Sequence, residues 1–167
     1  PADNGQAQFR GKMAARRIDW LLTPLPILKA LLMLSLLVPV LFFLDGHTQW
    51  WPYTLLFGFC ILALLFCFFS LLAHFFGISD SSPDRANKIE VGVSLVGAVL
   101  SLAVGLLLSW DVLRMRDGHW RHHSRLPPRN IGQSAWANRV TIALICCFIQ
   151  SILFLLLFLR IRKHGLH

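Results

Sequence analysis

Four long apolar segments constrain the fold of this chain more than any other feature. Each has 20 residues or more and contains no Asp or Glu, and their bounds are Trp20–Leu44, Pro52–Gly77, Val91–Trp110 and Arg139–Leu159. A helix rises about 1.5 Å per residue, so about 20 apolar residues cross a bilayer core about 30 Å thick. A soluble helix keeps a polar face, whereas these segments are apolar on all sides. The sequence therefore predicts an all-α fold, an integral membrane four-helix bundle.

The rest of the chain leaves no room for a separate soluble domain. Its longest polar connection, Asp111–Asn138, is too short and too polar to form a core of its own. The other polar loop, Ile78–Glu90, contains turn-forming residues, and Ser82 or Asp84 is expected to cap a short helical lead-in to the third segment. The predicted organisation is a basic flexible arm at 1–19, a transmembrane bundle at 20–160 and a basic tail at 161–167.

The net charge of +8 comes from Lys and Arg residues that lie mostly outside the apolar segments. Since no nucleic-acid-binding motif accompanies them, we expect these cations to face anionic lipid headgroups, and we expect no nucleic acid as a partner. The residues predicted to contact headgroups are Arg10, Lys12, Arg16, Arg17, Arg160, Arg162 and Lys163.

The numbers of Lys and Arg on the two sides of the membrane favour different topologies for the chain. Four spans place both termini and the loop Ile78–Glu90 on one side with nine Lys and Arg, against six on the other. The positive-inside rule then favours cytoplasmic termini. A re-entrant first segment, which Pro24, Pro26 and Pro39 would allow, gives ten against five when Lys29 is left out. We prefer four spans, because 25 mostly apolar residues require a full crossing.

The third segment carries small residues at intervals of four, which lie on one face of a helix. Such a stripe lets another helix approach closely, either from the same chain or from another protein. The predicted helix-packing residues are Gly97, Ser101, Gly105 and Ser109. Tryptophans next to the segments are predicted to anchor in the headgroup layer. Trp20 marks one membrane face, and the opposite face is marked by Trp50, Trp51, Trp110 and Trp136.

The predicted spans contain no carboxylate, which argues against a proton relay, an ion pathway or an acid–base enzyme. Lys29 is expected to snorkel to the nearer surface, and His74 to lie at the membrane edge. Gln150 and Ser151 are expected to form hydrogen bonds between helices or to helix backbone. No catalytic constellation is present, and we predict neither an enzyme nor a cofactor.

Histidines and cysteines are the remaining candidates for chemistry. His119, His122 and His123 lie close together and suggest a metal site, but neighbouring arginines disfavour a cation, and Asp117 is the only carboxylate at suitable spacing. A solvated, pH-responsive basic loop is therefore preferred, and no metal is predicted. The four cysteines all lie inside apolar segments, where we expect them to pack as small apolar residues: Cys60, Cys67, Cys146 and Cys147.

The arrangement resembles the MARVEL family of four-span membrane proteins. The similarity covers 17–163 and rests on the basic, Pro-containing lead into the first helix at Arg17–Lys29, the polar loop after the second helix and the small residues of the third. It implies membrane apposition, vesicle traffic or cell-junction scaffolding, without catalysis, at plasma or vesicle membranes. The partners expected are membrane lipids and either other membrane proteins or a second copy of the chain. Claudins and tetraspanins fit less well, because their cysteine-containing extracellular segments are missing.

Two other classes remain open. Accessory subunits of larger complexes, such as organellar energy-converting assemblies, are also small, basic and without catalytic residues. A small transporter or membrane enzyme is the third alternative.

Overall fold

The computed structural model describes residues 23–76, 83–125, 127 and 131–165. Within these residues the elements are helix α1 at Pro24–Phe43, a 3-10 helix at His47–Gln49, α2 at Trp51–Phe75, α3 at Pro83–Arg116 and α4 at Gln133–His164. The described residues contain no strand, which confirms the predicted all-α architecture. All four helices are long and apolar enough to cross a membrane. The predicted headgroup residues Arg10, Lys12, Arg16 and Arg17 and the predicted anchor Trp20 lie outside the described residues.

Prolines mark the beginnings of α1 and α2. Pro24 and Pro26 lie in the first turn of α1, and Pro52 lies in the first turn of α2. The first N–H groups of a helix have no acceptor within that helix, so proline is tolerated there. Pro39 lies inside α1, and the helix continues through it to Phe43.

Helix α3 is longer than the apolar segment that predicted it. It begins before Val91 and ends after Trp110, so Glu90 and Asp111 are helical and buried. The expectation that the spans contain no carboxylate is therefore wrong for the helices that form. The apolar run marks only the middle of α3, and its polar ends extend the same helix because they contain few residues that interrupt one.

The helices pack mainly as neighbouring pairs. α3 lies against α4 over most of its length, α1 contacts both α4 and α2, and α2 has only slight contact with α3. The link between α1 and α2 is short, and a short link makes the two helices it joins antiparallel neighbours. Gln150 donates a hydrogen bond to the Ser35 carbonyl of α1 at 2.8 Å, and Ser151 donates one to the Ala98 carbonyl of α3 at 3.0 Å. These interhelical bonds confirm the role predicted for both side chains.

The small-residue stripe of α3 faces α4. Gly97, Ser101 and Gly105 are all buried. A Cβ atom added at Gly97 would lie 2.7 Å from Cε1 of Phe154, and one added at Gly105 would lie 3.5 Å from Cβ of Cys147. The close neighbour of this face is therefore a span of the same chain.

The alternating helices place the segment after α3 at the end opposite the start of α1 and the end of α4. Ser124 is exposed there, and the native cysteines are buried. With four crossings, a Ser124→Cys variant should react with a membrane-impermeant maleimide from the side opposite both termini. Lys163→Cys, exposed at the end of α4, is the matched control and should react from the other side. Labelling of both variants from one side would contradict this topology.

Candidate functional site

Among the described residues, buried Lys, Asp, Glu and His side chains form two groups, one at each end of the bundle. The Glu90 cluster lies at the end that holds the start of α1 and the end of α4. It consists of Lys29, Ser70, His74 and Glu90. The Asp111 cluster lies at the opposite end, and it consists of Tyr53, Asp111, His122 and His123.

The Glu90 cluster joins three helices through one carboxylate. Lys29 Nζ of α1 lies 2.7 Å from Glu90 Oε1 of α3, and the two side chains are 1% and 6% exposed. The Ser70 hydroxyl of α2 donates to the same oxygen and accepts from Lys29. His74 Nε2 lies 3.9 Å from that oxygen. Each buried charge therefore has an opposite charge or a hydrogen bond, as a low-dielectric site requires.

This arrangement corrects the expectation for Lys29. Its side chain does not extend to the surface, because a carboxylate one helix away gives its ammonium group a partner inside the bundle. His74 lies in the last turn of α2, beside Glu90.

The Asp111 cluster depends on a tight helix end. Gly118 has φ +77°, and its N–H donates to the Met115 carbonyl at 3.1 Å, while the His119 N–H donates to the Arg114 carbonyl at 2.9 Å. This is a Schellman ending, which favours glycine because its φ is positive. It turns the chain back over the end of α3. The Ser124 N–H then donates to the Gln49 carbonyl at 2.7 Å and fastens the returning segment beside the 3-10 helix.

The returning segment brings two imidazoles to one carboxylate oxygen. His122 Nε2 lies 2.7 Å from Asp111 Oδ1, and His123 Nε2 lies 2.9 Å from the same atom. The Tyr53 hydroxyl donates to the other oxygen, Oδ2, and lies 3.4 Å from His123 Nε2. The side chains of Asp111 and His123 are completely buried, and that of His122 is 18% exposed.

Aromatic rings surround this cluster. The ring centroid of His122 lies 5.0 Å from that of Trp110 and 5.4 Å from that of Trp50, and His123 lies 5.5 Å from Trp120. These rings limit the access of water to the carboxylate and the two imidazoles. The expectation of a solvated histidine loop is therefore wrong for His122 and His123, although His119 is exposed.

The donor set of the Asp111 cluster is one that metals use. One carboxylate oxygen and two imidazole nitrogens lie within 4.8 Å of one another. The same atoms also satisfy one another by hydrogen bonding when each Nε2 carries a proton. The Glu90 cluster is less suited to a cation, because Lys29 already places a positive charge on its carboxylate.

Both clusters also connect α2 to α3. These helices have little direct contact, yet Ser70 bonds Glu90 near one end and Tyr53 bonds Asp111 near the other. Polar bonds at the two ends therefore hold together a pair of helices that apolar packing alone joins only weakly.

The predicted tryptophan anchors divide into two groups. Trp51 and Trp110 are exposed on the surface of the bundle. Trp50 is 9% exposed, and Trp136 is fully buried against Phe43 and Tyr53, so the ring of Trp136 packs inside the bundle and does not reach the headgroups.

The remaining predicted residues lie at helix surfaces. Arg162 and Lys163 are exposed at the end of α4, and Arg160 is half-buried there. Ser109 is also half-buried, and its hydroxyl donates to the Gly105 carbonyl of its own helix at 2.9 Å.

Sequence reasoning missed Tyr53, Glu90 and Asp111. The carboxylates had a signal, because Glu90 directly precedes the third apolar segment and Asp111 directly follows it. A lysine inside an apolar segment also requires a buried partner, and Glu90 supplies it. Tyr53 is the only tyrosine in the chain, and nothing in its local sequence connects it to Asp111.

No family model, no curated protein and no solved structure matches this chain.

Proposed function

We propose that this chain is a non-catalytic, multi-pass membrane protein that acts as a packing partner for another membrane protein or for a second copy of itself. In keeping with the MARVEL resemblance, its setting is membrane apposition, vesicle traffic or cell-junction organisation at plasma or vesicle membranes. The observation that carries the proposal is the open outer face of α2.

Helix α2 is the least buried of the four spans. Only 22% of the residues in its most apolar stretch are buried, against 33% or more in the corresponding stretch of each other helix. Its outer face repeats apolar residues at alternating intervals of four and three, the spacing of helix-pairing seams. The residues on this face are Trp51, Leu55, Gly58, Leu62, Leu65, Phe69, Leu72 and Phe76.

Gly58 gives this face a feature that a purely lipid-facing surface does not need. No atom lies within 4 Å of a Cβ added there, so the glycine does not serve a close approach within the chain. Small residues between larger ones let a second transmembrane helix approach closely, and packing is the main force between helices in lipid. The glycine therefore suits a partner helix on this face.

The buried charges support a non-catalytic role. Lys29, Glu90 and Asp111 are each bonded to other side chains of the bundle. Groups held in this way stabilise one arrangement of the helices.

The test is photo-crosslinking in native membranes. A photoreactive amino acid replaces Leu62, which is 70% exposed on α2, or Leu106, which is 59% exposed on α3 and serves as the control site. We expect discrete protein adducts, with another protein or with a second copy, from position 62 and lipid adducts from position 106. Lipid adducts alone from both positions would contradict the proposal.

A glycine pair sharpens the test. Gly58→Leu should reduce the position-62 adduct about tenfold or more, equivalent to about 1.4 kcal/mol of association free energy. Gly92→Leu, on α3 and equally free of neighbours, should leave it unchanged. Fractionation of the adducts then separates the proposed setting from an accessory subunit, because the latter would follow an inner organellar membrane.

A further inference from the structure

We propose that Asp111, His122 and His123 bind a divalent metal ion of the zinc type, which fastens the segment after α3 onto the bundle. This proposal is independent of the proposed packing role, since it concerns buried side chains at the start of α2 and after α3, and not the outer face of α2.

The donor atoms are of the right type and lie close to the right places. Imidazole nitrogen and carboxylate oxygen are standard zinc ligands with bonds of about 2.0–2.2 Å, and three protein ligands leave a fourth position for water. Tetrahedral bonds of that length place neighbouring donors about 3.3 Å apart. The two Nε2 atoms are 2.7 and 2.9 Å from Oδ1, so each must move about half an ångström away from that oxygen to admit the ion.

The movement falls on an irregular segment and not on a helix. Asp111 lies on α3, whereas His122 and His123 lie on the segment that follows it. A shift of that segment would open the three donors while Asp111 keeps its place on α3.

Tyr53 acts as an outer partner of the site. Its hydroxyl bonds Asp111 Oδ2 and leaves Oδ1, the oxygen to which both imidazoles point, for the ion. Hydrogen bonds to a ligating carboxylate orient it in metal sites in this manner. The surrounding tryptophan rings limit the access of water, which strengthens the attraction between the ion and the buried carboxylate.

The arginines that the structure describes near the site do not occupy it. Arg114, Arg121 and Arg125 are exposed, and the Arg114 guanidinium lies over the Trp110 ring, 5.1 Å from its centroid. Inside, the Asp111 carboxylate faces Tyr53, His122 and His123. The buried atom His123 Nδ1 has no hydrogen-bond partner among the described residues, so the hydrogen-bonded arrangement alone leaves this imidazole incompletely satisfied.

The experiment measures zinc on the full chain, purified in detergent through an affinity tag without histidine. After equilibration with Zn²⁺ and removal of free metal, we expect one zinc ion per chain by elemental analysis. X-ray absorption should give a shell of nitrogen and oxygen at about 2.0–2.1 Å, and no sulfur at about 2.3 Å, the distance expected if the cysteines bound instead.

Variants separate a built site from incidental binding. Asp111→Asn and the double variant His122→Ala/His123→Ala should lose the ion, whereas the exposed His119→Ala should retain it. Tyr53→Phe, which removes only the outer hydrogen bond, should weaken zinc binding about 10–100-fold.

Three outcomes would overturn the proposal: no zinc on the native chain, a sulfur shell, or equal zinc on the native and ligand-deleted chains. If a ligand variant fails to fold, two measurements still test the proposal: the X-ray absorption spectrum of the native chain and the zinc affinity of Tyr53→Phe.

Discussion

Lys29→Met should lower the free energy of unfolding by about 3–5 kcal/mol, because it leaves the Glu90 carboxylate buried without its cation. Glu90→Met should cost a similar amount, since it leaves the ammonium group of Lys29 buried without a counter-charge. The double variant Lys29→Met/Glu90→Met should recover most of the loss, because apolar side chains of similar volume replace a buried ion pair with little or no penalty. Unfolding of the purified protein in mixed detergent micelles measures all three.

Lys88→Met is the matched control for this prediction. Lys88 is exposed on α3, the helix that carries Glu90, and lies close to Glu90 in sequence. Its substitution should change the free energy of unfolding by no more than about 0.5 kcal/mol. If the effects of the two single substitutions at Lys29 and Glu90 simply add in the double variant, the two groups are not energetically coupled and the interpretation of the cluster is wrong.

Gly97→Ala should destabilise the bundle by about 1–3 kcal/mol, and Gly97→Leu by more, because the contact between α3 and α4 has no space for a side chain. The added Cβ would lie 2.7 Å from the ring of Phe154, which is 2% exposed and has little room to move. Melting temperatures and unfolding free energies in detergent measure the loss. The companion change Phe154→Leu should relieve part of it, since the overlap is with the ring itself.

Gly105 provides the comparison for Gly97. The regular stripe alone predicts that substitutions at the two glycines have the same effect. An alanine Cβ at Gly105 makes only an ordinary contact of 3.5 Å with Cys147. Gly105→Ala should therefore be nearly neutral. If Gly97→Ala and Gly105→Ala lower the free energy of unfolding equally, the spacing of the small residues, and not the local approach of Phe154, controls the packing of α3 against α4.

The helices themselves could be predicted because their signals are local. Four long apolar segments predict four helices, with prolines at the starts of the first two, and the short link after the first segment predicts that α1 and α2 are neighbours. The helical lead-in through Glu90 could be predicted from the capping residues before it, and the structure has it. The continuation of α3 beyond Trp110 could not be predicted. Asp111 resembles a loop residue in the sequence, because hydropathy reports the solvent preference of a side chain and not whether the backbone remains helical.

The candidate sites could be predicted only in part. The adjacent residues His122 and His123 were candidate metal ligands from the sequence, but the carboxylate expected beside them was Asp117, the nearest in sequence. The structure supplies Asp111 instead, because the Schellman turn at Gly118 folds the chain back along α3. The consequence of that turn depends on backbone direction, which residue spacing alone does not give.

By itself, the sequence determined that this chain forms four apolar helices with polar ends, since hydropathy and proline placement act over a few neighbouring residues. Only the tertiary structure decided which polar groups meet. Lys29 and Glu90 are 61 positions apart, and Tyr53 and Asp111 are 58 apart. Their pairing depends on how the helices are rotated and offset against one another, and that is settled by packing of whole helices in three dimensions.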